Sequence, residues 1–500
     1  RYNVRAELTA TPRTAFHRYT FPESRNAGLV IDLENGGCWD RTTEAHIELH
    51  DAHNISGWRH SRGWANQQKV FFVAECSKAI DSISYHGQDS LYAHLHFETQ
   101  ESEEVLLKVA LSAVSVEGAK MALQTENASW DFNDVASQAE EAWNKELKRI
   151  TVEGGTPEQQ RTFYTALYHT MMAPALFSDV NGDYRGADRK VHHSEAPVYT
   201  IFSLWDTYRA KMPLLTLIAP ERMSDFVNTM LNICDEQQKL PVWHLWGCET
   251  NCMVGNPAIP VVADAIVKKI KGIDYERAFQ AIEKTTAGDA FGRALRRQFG
   301  YIPCDLYKEA VAYELEYALA DGAAARAAEA LGKTDAALSY REKSRSYRHL
   351  FDSISGFIRG KDSNGKFREP FDPLHASHRN DDYCEGNAWQ YTWLVPHDVE
   401  GLAECYGGKQ CMLAKLDSLF LQPSTLGEEA SPDISGMIGQ YAHGNEPSHH
   451  ILYLYAMLGK PDRTNELVHL VLNTLYNDTP EGICGNEDVG QMSAWYVLAS

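Results

Sequence analysis

The chain has 500 residues, of which 44% are hydrophobic, 11% aromatic and 23% charged. This profile is typical of globular proteins and excludes disorder, collagen and coiled coil as overall classes. With 47 Lys and Arg against 68 Asp and Glu, the net charge of −21 predicts no nucleic-acid partner, because phosphates need a basic surface. No apolar run approaches the ~20 residues that span a bilayer, so no membrane span is predicted.

The length suggests about three domains at roughly 150 residues each. Arg1 opens the chain without a Met or an apolar signal core, and Ser500 closes it within an apolar pattern. We therefore expect a window from a longer protein. The ten cysteines are scattered without a CxxC pair, which favours buried small apolar residues over a zinc ribbon.

Residues 1–133 have the pattern of β structure. Val70–Ala74 is rich in β-branched and aromatic side chains, Tyr92–Glu98 alternates apolar with other side chains, and Val105–Val116 is dominated by Val and Leu. Glycines and polar clusters separate these runs, which predicts an antiparallel β-sandwich. A lone jelly-roll binding module would show the same pattern.

Helical patterns replace the strand patterns from residue 134 onward. Ala136–Ile150 is rich in Glu, Ala and Lys, which predicts a helical linker over 134–156. About twelve helical segments then follow over 157–500, with no strand alternating between them. Paired helices over this length favour a closed (α/α)6 barrel; an open solenoid is the competitor, but the segments share no single period. The predicted fold is thus multidomain, a β-sandwich followed by a helical linker and an (α/α)6 barrel.

Four loop stretches place carboxylates and amides beside Trp or Tyr. Trp and Tyr faces pack on the C–H surfaces of sugars, while Asp, Asn and Gln bind hydroxyl groups, so the pattern is typical of a carbohydrate site. The four stretches are Ser203–Arg209, Cys384–Trp393, His443–His450 and Gly485–Trp495.

Glycoside hydrolysis needs two carboxyl groups, one protonated and one ionised. Glu385 is the candidate acid, because its aromatic neighbours would desolvate it and raise its pKa. Asp488 is the candidate base, because amides and a helix start favour its ionised form. A purely structural role for either residue is the alternative.

A metal site is predicted at Asn445 and Glu446, which precede Pro447 at a helix start. Their hard oxygen atoms suit Ca²⁺ or Mg²⁺ better than zinc, although either residue could simply cap the helix. The adjacent pair His449 and His450 is a poor zinc site, since neighbouring helical side chains point about 100° apart.

At these motifs the sequence resembles glycoside hydrolase family 92, the calcium-dependent exo-acting α-mannosidases. The similarity runs from about Ser61 to Ser500, and its strongest matches are Tyr199–Arg209, Glu385–Tyr391, Gly444–His450 and Gly485–Tyr496. The resemblance implies a β-sandwich joined by helices to an (α/α)6 barrel, a site between the two domains, and inversion at the anomeric carbon. It also implies Ca²⁺ as the cofactor, a mannan, N-glycan or other mannose-containing oligosaccharide as the partner, and an extracytoplasmic location in a bacterium.

The resemblance also implies residue roles. Glu385 matches the general acid, Asp488 the general base, and Asn445 and Glu446 the metal-binding motif. The remaining matches are expected to bind the substrate: Trp205, Asp206, Trp64, His443 and Trp389.

Two departures from the family pattern concern specificity. Many members have Asp where this chain has Asn486, and members selective for α-1,2 bonds tend to carry His-Glu where it has His443-Gly444. The family default of α-1,2 therefore stays open to α-1,3 or another linkage. The retained Glu385 favours ordinary glycosidic bonds, because members that take mannosyl phosphodiesters can lack it.

Three competing functions remain open at this point. They are another glycosidase of the six-hairpin type, a glycoside phosphorylase, and a carbohydrate-binding protein that keeps the fold without turnover. A phosphorylase would require inorganic phosphate, and a binding protein would be expected to have lost Glu385 or Asp488.

Overall fold

The computed structural model describes residues 2–37, 39–86 and 91–500; of the ten cysteines, Cys38 lies outside these ranges. Contacts divide the chain into two compact units. The sheet unit comprises Arg1–Thr151, Pro174–Ile201 and His244–Thr250, and the helical unit comprises Val152–Ala173, Phe202–Trp243 and Asn251–Ser500. The division is not linear in sequence, and the linear limits 1–133, 134–156 and 157–500 stay predictions.

The sheet unit is built on nine described strands that pair antiparallel in two sheets. The six-stranded sheet has the order β1-β2-β9-β6-β5-β4 and the three-stranded sheet the order β3-β8-β7. The strands are β1 Arg5–Ala10, β2 Thr14–Phe21, β3 Ser24–Asp32, β4 Arg41–Leu49, β5 Asn54–Arg62, β6 Gln68–Cys76, β7 Ser82–His86, β8 Tyr92–Thr99 and β9 Glu103–Ser112.

The two sheets share one apolar core, as the strand patterns predict. Along β8, Ala93, Leu95 and Phe97 are fully or almost fully buried, and they pack with Ile55 of β5 and Val105 of β9. Alternate side chains thus point into a layer between the sheets, which is the arrangement of a β-sandwich.

Two helices cover the outer face of the six-stranded sheet. Helix α1 (Val116–Glu126) packs its alanines on Val73 and Ala110, and Phe132 at the start of α2 (Phe132–Leu147) meets Phe16 edge to face at 5.4 Å. The strand-like pattern predicted to reach Val116 is wrong beyond Ser112. The side chain of Ser115 accepts the backbone N–H of Gly118, so it caps α1 and starts a helix there.

The helical unit carries the remaining helices, most of them where the apolar spacing predicts them. Within the described residues they are α3 Pro157–His169, α4 Leu204–Thr207, α5 Lys211–Ile218, α6 Pro220–Gln237, α7 Ala258–Val267, α8 Tyr275–Ala287, α9 Arg293–Phe299, α10 Ala310–Ala330, α11 Thr334–Lys343, α12 Ala388–Tyr391, α13 Val399–Cys405, α14 Lys409–Phe420, α15 Ile451–Met457, α16 Pro461–Thr474 and α17 Gln491–Ala499. The helical nature of this unit is confirmed; its closure into an (α/α)6 barrel stays a prediction.

Short strands and 3₁₀ turns occupy several of the connections between the longer elements. The turn Ser346–His349 falls within the helix that the spacing predicts over 335–351, and the turn Glu446–Ser448 overlaps the start of the one predicted over 447–458. The turn Asp488–Gly490 precedes the helical segment predicted from Gln491. The short strands are Ala175–Leu176, Asp183–Arg185, Val191–His193, Tyr199–Thr200, Phe202–Ser203, Trp243–Leu245, Cys248–Glu249, Phe351–Asp352, Phe357–Ile358, Met437–Ile438 and Tyr441–Ala442.

Among the described residues, none of the helices has both the length and the apolar character needed to cross a bilayer. The nine described cysteines are free thiols.

Candidate active site

Three carboxylates from distant parts of the chain converge in the helical unit. Oxygen atoms of Asp206, Glu446 and Asp488 all lie within 4.8 Å of one another. The first two residues are buried, and Asp488 is half-buried. Like charges this close in a desolvated site repel strongly, so the cluster favours either shared protons or a bound cation.

Asp206 is held in the single turn α4. Its carboxylate accepts a short hydrogen bond from the hydroxyl of Ser203, and the hydroxyl of Thr207 donates to the Ser203 carbonyl at 2.7 Å. Burial, and then the negative charge of Asp488, raise the pKa of Asp206 well above its usual value. The turn thus presents a carboxyl group that resists ionisation in the absence of a nearby cation.

Glu446 begins the 3₁₀ turn before α15 and is fully buried. Among the described residues, no N–H group or alcohol hydroxyl donates a hydrogen bond to either of its side-chain oxygens. Burial, followed by the charges of Asp488 and Asp206, raises its pKa well above the usual range. An orphaned, buried carboxylate facing two others is the donor set that a hard cation such as Ca²⁺ fits.

Asp488 lies in a strained turn that leads into α17. Asp488, Val489 and Gly490 all have positive φ, at 47°, 50° and 97°, and for a β-branched residue such as Val489 this conformation is costly. The buried ammonium group of Lys211 donates to the carbonyls of Val489 and Ala173, the latter at 2.5 Å. The strained turn is therefore fixed from α5, a contact that sequence motifs do not reveal.

Gln491 fixes the same turn from its other end. Its Oε1 accepts the backbone N–H groups of Ala210 and Lys211 at 3.0 and 3.1 Å. Its Nε2 must then donate to His449 Nδ1 at 3.0 Å. His449 consequently carries its proton on Nε2 and donates to the His443 carbonyl at 2.9 Å.

Burial lowers the pKa of His449 to about 3, so this imidazole stays neutral. The neighbouring His450 ring is turned to a different group, the Trp393 carbonyl, at 2.6 Å. The two rings therefore contact carbonyl groups of different segments, those of His443 and Trp393. This geometry agrees with the expectation that the two histidines do not share one ion.

Glu385 stands in a second cluster, with His378 and Asp433. Ligand-type atoms of these three residues lie within 4.8 Å of one another. Burial first, and then the charge of Asp433, raise the pKa of Glu385 to about 7. At neutral pH this carboxyl group therefore keeps a substantial protonated fraction, as a general acid requires.

The backbone around Glu385 is set by a helix cap. Asn387 and Gln390 form a capping box that starts α12, and Glu385 itself has φ of 48°. The side-chain amide of Asn445 donates to the Glu385 carbonyl at 2.7 Å, while its oxygen accepts the N–H of Glu446 at 3.2 Å. Asn445, predicted as a metal ligand, thus connects the turn that carries Glu385 to the loop that carries Glu446.

Asp433 is a site residue that the sequence motifs miss. Its carboxylate accepts hydrogen bonds from Ser431 at 2.5 Å and from the amide of Asn486 at 2.8 Å. Asn486 is the position where many family members carry Asp. A second carboxylate there would repel Asp433, whereas the amide orients it beside Glu385.

Arg209 ends the predicted stretch Ser203–Arg209, but sequence reasoning assigned it no role. Its guanidinium donates to Glu316 at 2.7 Å, with both side chains almost fully buried, and it covers the ring of Trp205 at 4.8 Å. Because Glu316 already pairs with this charge, Arg209 does not neutralise the three-carboxylate cluster by itself.

The remaining predicted substrate-binding residues have mostly structural surroundings. His443 is fully buried, and its ring nitrogens meet the hydroxyls of Tyr441 and Tyr476 at 2.7 and 2.8 Å. Trp389 is buried against Phe357, edge to face at 4.8 Å. These contacts favour a positioning role for both residues.

Trp64 is half-buried in the sheet unit, where its ring lies 6.2 Å from that of Trp39. Its contact with substrate stays a prediction. The same holds for Trp205, which is almost fully buried beneath Arg209.

Comparison with protein-family models gives two matches that together span almost the whole chain. The glycosyl hydrolase family 92 N-terminal domain matches residues 1–112, and the family 92 catalytic domain matches residues 118–500. The chain belongs to glycosyl hydrolase family 92. The fold expected from the motif resemblance, a sheet domain followed by a helical domain, is therefore that of the family.

Solved structures of family 92 enzymes superpose closely on the chain. A family 92 α-mannosidase from Bacteroides thetaiotaomicron, solved in complex with mannoimidazole, is 36% identical with a TM-score of 0.94, over 99% of this chain and 68% of that one. An inverting family 92 mannosidase from B. thetaiotaomicron VPI-5482 is 34% identical with a TM-score of 0.87, over 99% of this chain and 70% of that one.

A curated relative in Arthroderma benhamiae, described as an uncharacterized secreted glycosidase, is 26% identical over 450 residues, which are 81% of this chain and 52% of that protein. The chain thus spans about half the length of this curated relative.

Proposed function

We propose that this family 92 protein is a Ca²⁺-dependent exo-α-mannosidase that removes terminal α-linked mannose from mannans or N-glycans with inversion. The observation that carries the proposal is the separation of two carboxyl environments. Glu385, with a pKa raised to about 7, is grouped with His378 and Asp433, whereas Asp206, Glu446 and Asp488 form a different carboxylate cluster. The family 92 mannosidases with 34% and 36% identity support mannose as the sugar.

In this proposal Glu385 is the general acid. It donates its proton to the glycosidic oxygen as the bond to the anomeric carbon breaks, so that the aglycone leaves as a neutral alcohol. The negative charge of Asp433 beside it favours the protonated form before reaction.

Asp488 is the general base. It accepts a proton from the water that attacks the anomeric carbon on the opposite face of the sugar ring. Its charge contributes to the raised pKa of Glu385, so the two carboxyl groups lie close enough to interact, although they belong to different clusters. Inversion requires a separation of roughly 6.5–9.5 Å between the two carboxyl groups, which leaves room for a water between the sugar and the base. The relative described as an inverting mannosidase supports the same outcome.

Asp206, Glu446 and Asp488 fit a Ca²⁺ ion, because their clustered oxygens are hard donors and, among the described residues, those of Glu446 accept no hydrogen bond from an N–H group or alcohol hydroxyl. Ca²⁺ bound there would supply a positive charge that ionises the buried carboxylates and orients sugar hydroxyl groups. The side-chain oxygen of Asn445 accepts the backbone N–H of Glu446 and so holds Glu446 in place.

The proposed linkage is the family default, α-1,2. A linkage of α-1,3 or another type is the alternative, and the mannobioside panel described next distinguishes them. An extracytoplasmic location is part of the proposal, supported by the curated relative described as secreted.

The proposal is tested with a panel of α-1,2, α-1,3, α-1,4 and α-1,6 mannobiosides and Ca²⁺, in buffer with and without inorganic phosphate. We expect free mannose without phosphate, and β-mannose as the first anomer seen by proton NMR. Release of mannose 1-phosphate would indicate a phosphorylase. Initial α-mannose would contradict inversion, and binding without turnover of any mannoside would indicate a carbohydrate-binding protein.

A further inference from the structure

Three histidines share one outward face of the three-stranded sheet in the sheet unit. On β8, His94 and His96 alternate with the core residues Ala93, Leu95 and Phe97, so both imidazoles point away from the core. On the neighbouring edge strand β7, Ser84 and His86 face the same side, since Ser84 pairs with His94 and Ser82 with His96.

The imidazoles of His86 and His96 both contact the hydroxyl group of Ser84. Ser84 Oγ lies 3.0 Å from His86 Nε2 and 2.7 Å from His96 Nε2. A hydroxyl has one proton to donate, so at least one of the two imidazoles donates to this oxygen. The His94 ring completes the group, with its centroid 5.1 Å from that of His86 and 5.7 Å from that of His96.

These ring separations match those of imidazoles that share one ion. With metal–nitrogen bonds of about 2.0–2.1 Å, each ring centroid lies ~3.2 Å from the ion, and tetrahedral angles then place the centroids ~5.2 Å apart. His86 is exposed and the other two are half-buried, so small side-chain rotations suffice to aim all three nitrogens at one point.

We propose that His86, His94 and His96 form a binding site for a borderline divalent transition-metal ion such as Zn²⁺, Ni²⁺ or Cu²⁺. Neutral imidazole nitrogens select these ions over Ca²⁺, which requires oxygen donors. Ser84 or a water completes the coordination. The site is independent of the three-carboxylate cluster, which belongs to the helical unit and offers only oxygen atoms.

The test is isothermal titration of the full chain with Ni²⁺ in the presence of saturating Ca²⁺, which occupies the carboxylate cluster. We expect one Ni²⁺ bound per chain in the wild type, and loss of that binding in the double variant His94→Ala/His96→Ala. The control is His46→Ala, which removes an exposed histidine from the strand β4 and should leave Ni²⁺ binding unchanged.

Thermal unfolding gives a second readout that is independent of mannosidase activity. Ni²⁺ should raise the unfolding midpoint of the wild type and of His46→Ala, but not that of the double variant. Without Ni²⁺ the three proteins should melt alike, because the altered side chains lie outside the core. Absence of binding in the wild type, or equal binding in the double variant, would overturn the proposal.

Discussion

At the scale of single residues, Glu385 and Asp433 are coupled through their charges. The carboxylate of Asp433 is held by Ser431 and Asn486, and together with burial it raises the pKa of Glu385 to about 7. A general acid must be protonated to act, so the kcat/KM of the enzyme should fall as the pH rises through about 7.

Asp433→Asn removes one negative charge next to Glu385 and should lower the pKa of that carboxyl group. The alkaline limb of the pH–kcat/KM profile then moves to lower pH, and activity above pH 7 falls more than activity at pH 5. Glu428→Gln is the matched control, since it removes an exposed carboxylate from the same loop. A limb that stays in place in Asp433→Asn, or moves equally in the control, would show that Asp433 does not set this pKa.

Glu446 illustrates a cost that a buried charge imposes without a partner. The pKa of Glu446 in the folded protein is raised well above the usual value of 4.5. Its contribution to the free energy of unfolding is therefore fully present below pH 4.5 and is lost as the pH rises through the raised pKa. Without Ca²⁺, the unfolding midpoint of the wild type should therefore fall as the pH rises from about 4.5 to neutral.

Glu446→Gln cannot ionise and should lose less stability over the same pH range without Ca²⁺. It should also lose the rise in the unfolding midpoint that saturating Ca²⁺ produces in the wild type. Glu404→Gln, with a side chain that is 69% exposed, should behave as the wild type in both respects. If Glu446→Gln kept the full Ca²⁺ response in calorimetry, Glu446 would not be a metal ligand.

At the scale of elements, the turn Asp488–Gly490, which carries the proposed base, is held by helix α5. Lys211, at the first position of α5, donates to the Val489 carbonyl although 278 residues separate the two. The strained φ values of the turn persist because this contact and those of Gln491 hold both of its ends.

Lys211→Met keeps the length of the side chain but leaves the carbonyls of Val489 and Ala173 buried without this donor. We expect a loss of about 1–3 kcal/mol in the free energy of unfolding, together with a fall in kcat that exceeds the change in KM, because the base is displaced. Urea unfolding and steady-state kinetics measure the two effects.

Lys271→Met, which alters an exposed lysine, should change neither quantity appreciably. Full kcat in Lys211→Met, at a temperature where the variant is folded, would rule out a positioning role for Lys211.

The sequence predicts local features better than contacts between distant segments. The strand β8 and the helix α10 follow from their periodicity, and Glu385 and Asp488 follow from motifs that place a carboxylate beside aromatics or amides. Asp433 and Lys211 lack such a signal. Their roles arise only when folding brings them to Glu385 and Val489, and no local spacing encodes that proximity.

The helix predicted over 447–458 is interrupted near its start by a loop of the candidate site. The spacing predicts one helix over 447–458, but a 3₁₀ turn at Glu446–Ser448 precedes Ile451–Met457. Glu446 is the first residue of this turn and belongs to the carboxylate cluster. A regular helix start has no need for such a turn. Glu385 and Asp488 also have positive φ values, as do several non-glycine residues elsewhere in the described part of the chain.

At the scale of the whole molecule, the chain carries a net charge of −21, and part of this negative charge lies in the candidate site. Among the described residues, Asp206, Glu446 and Asp488 are gathered where bound protons or a cation would offset their charge. The contact division also shows that segments 174–201 and 244–250 belong with the sheet unit. Sequence patterns miss this, because such short segments carry no periodic signal.

The central claim is that Glu385 protonates the leaving group during mannoside hydrolysis. The most direct measurement compares Glu385→Gln with the wild type on a mannobioside and on an aryl α-mannoside whose leaving group needs no proton. We predict a loss of ~10²–10⁴-fold in kcat/KM on the mannobioside and a much smaller loss on the aryl substrate. An equal loss on both substrates would contradict the assignment of Glu385 as the general acid.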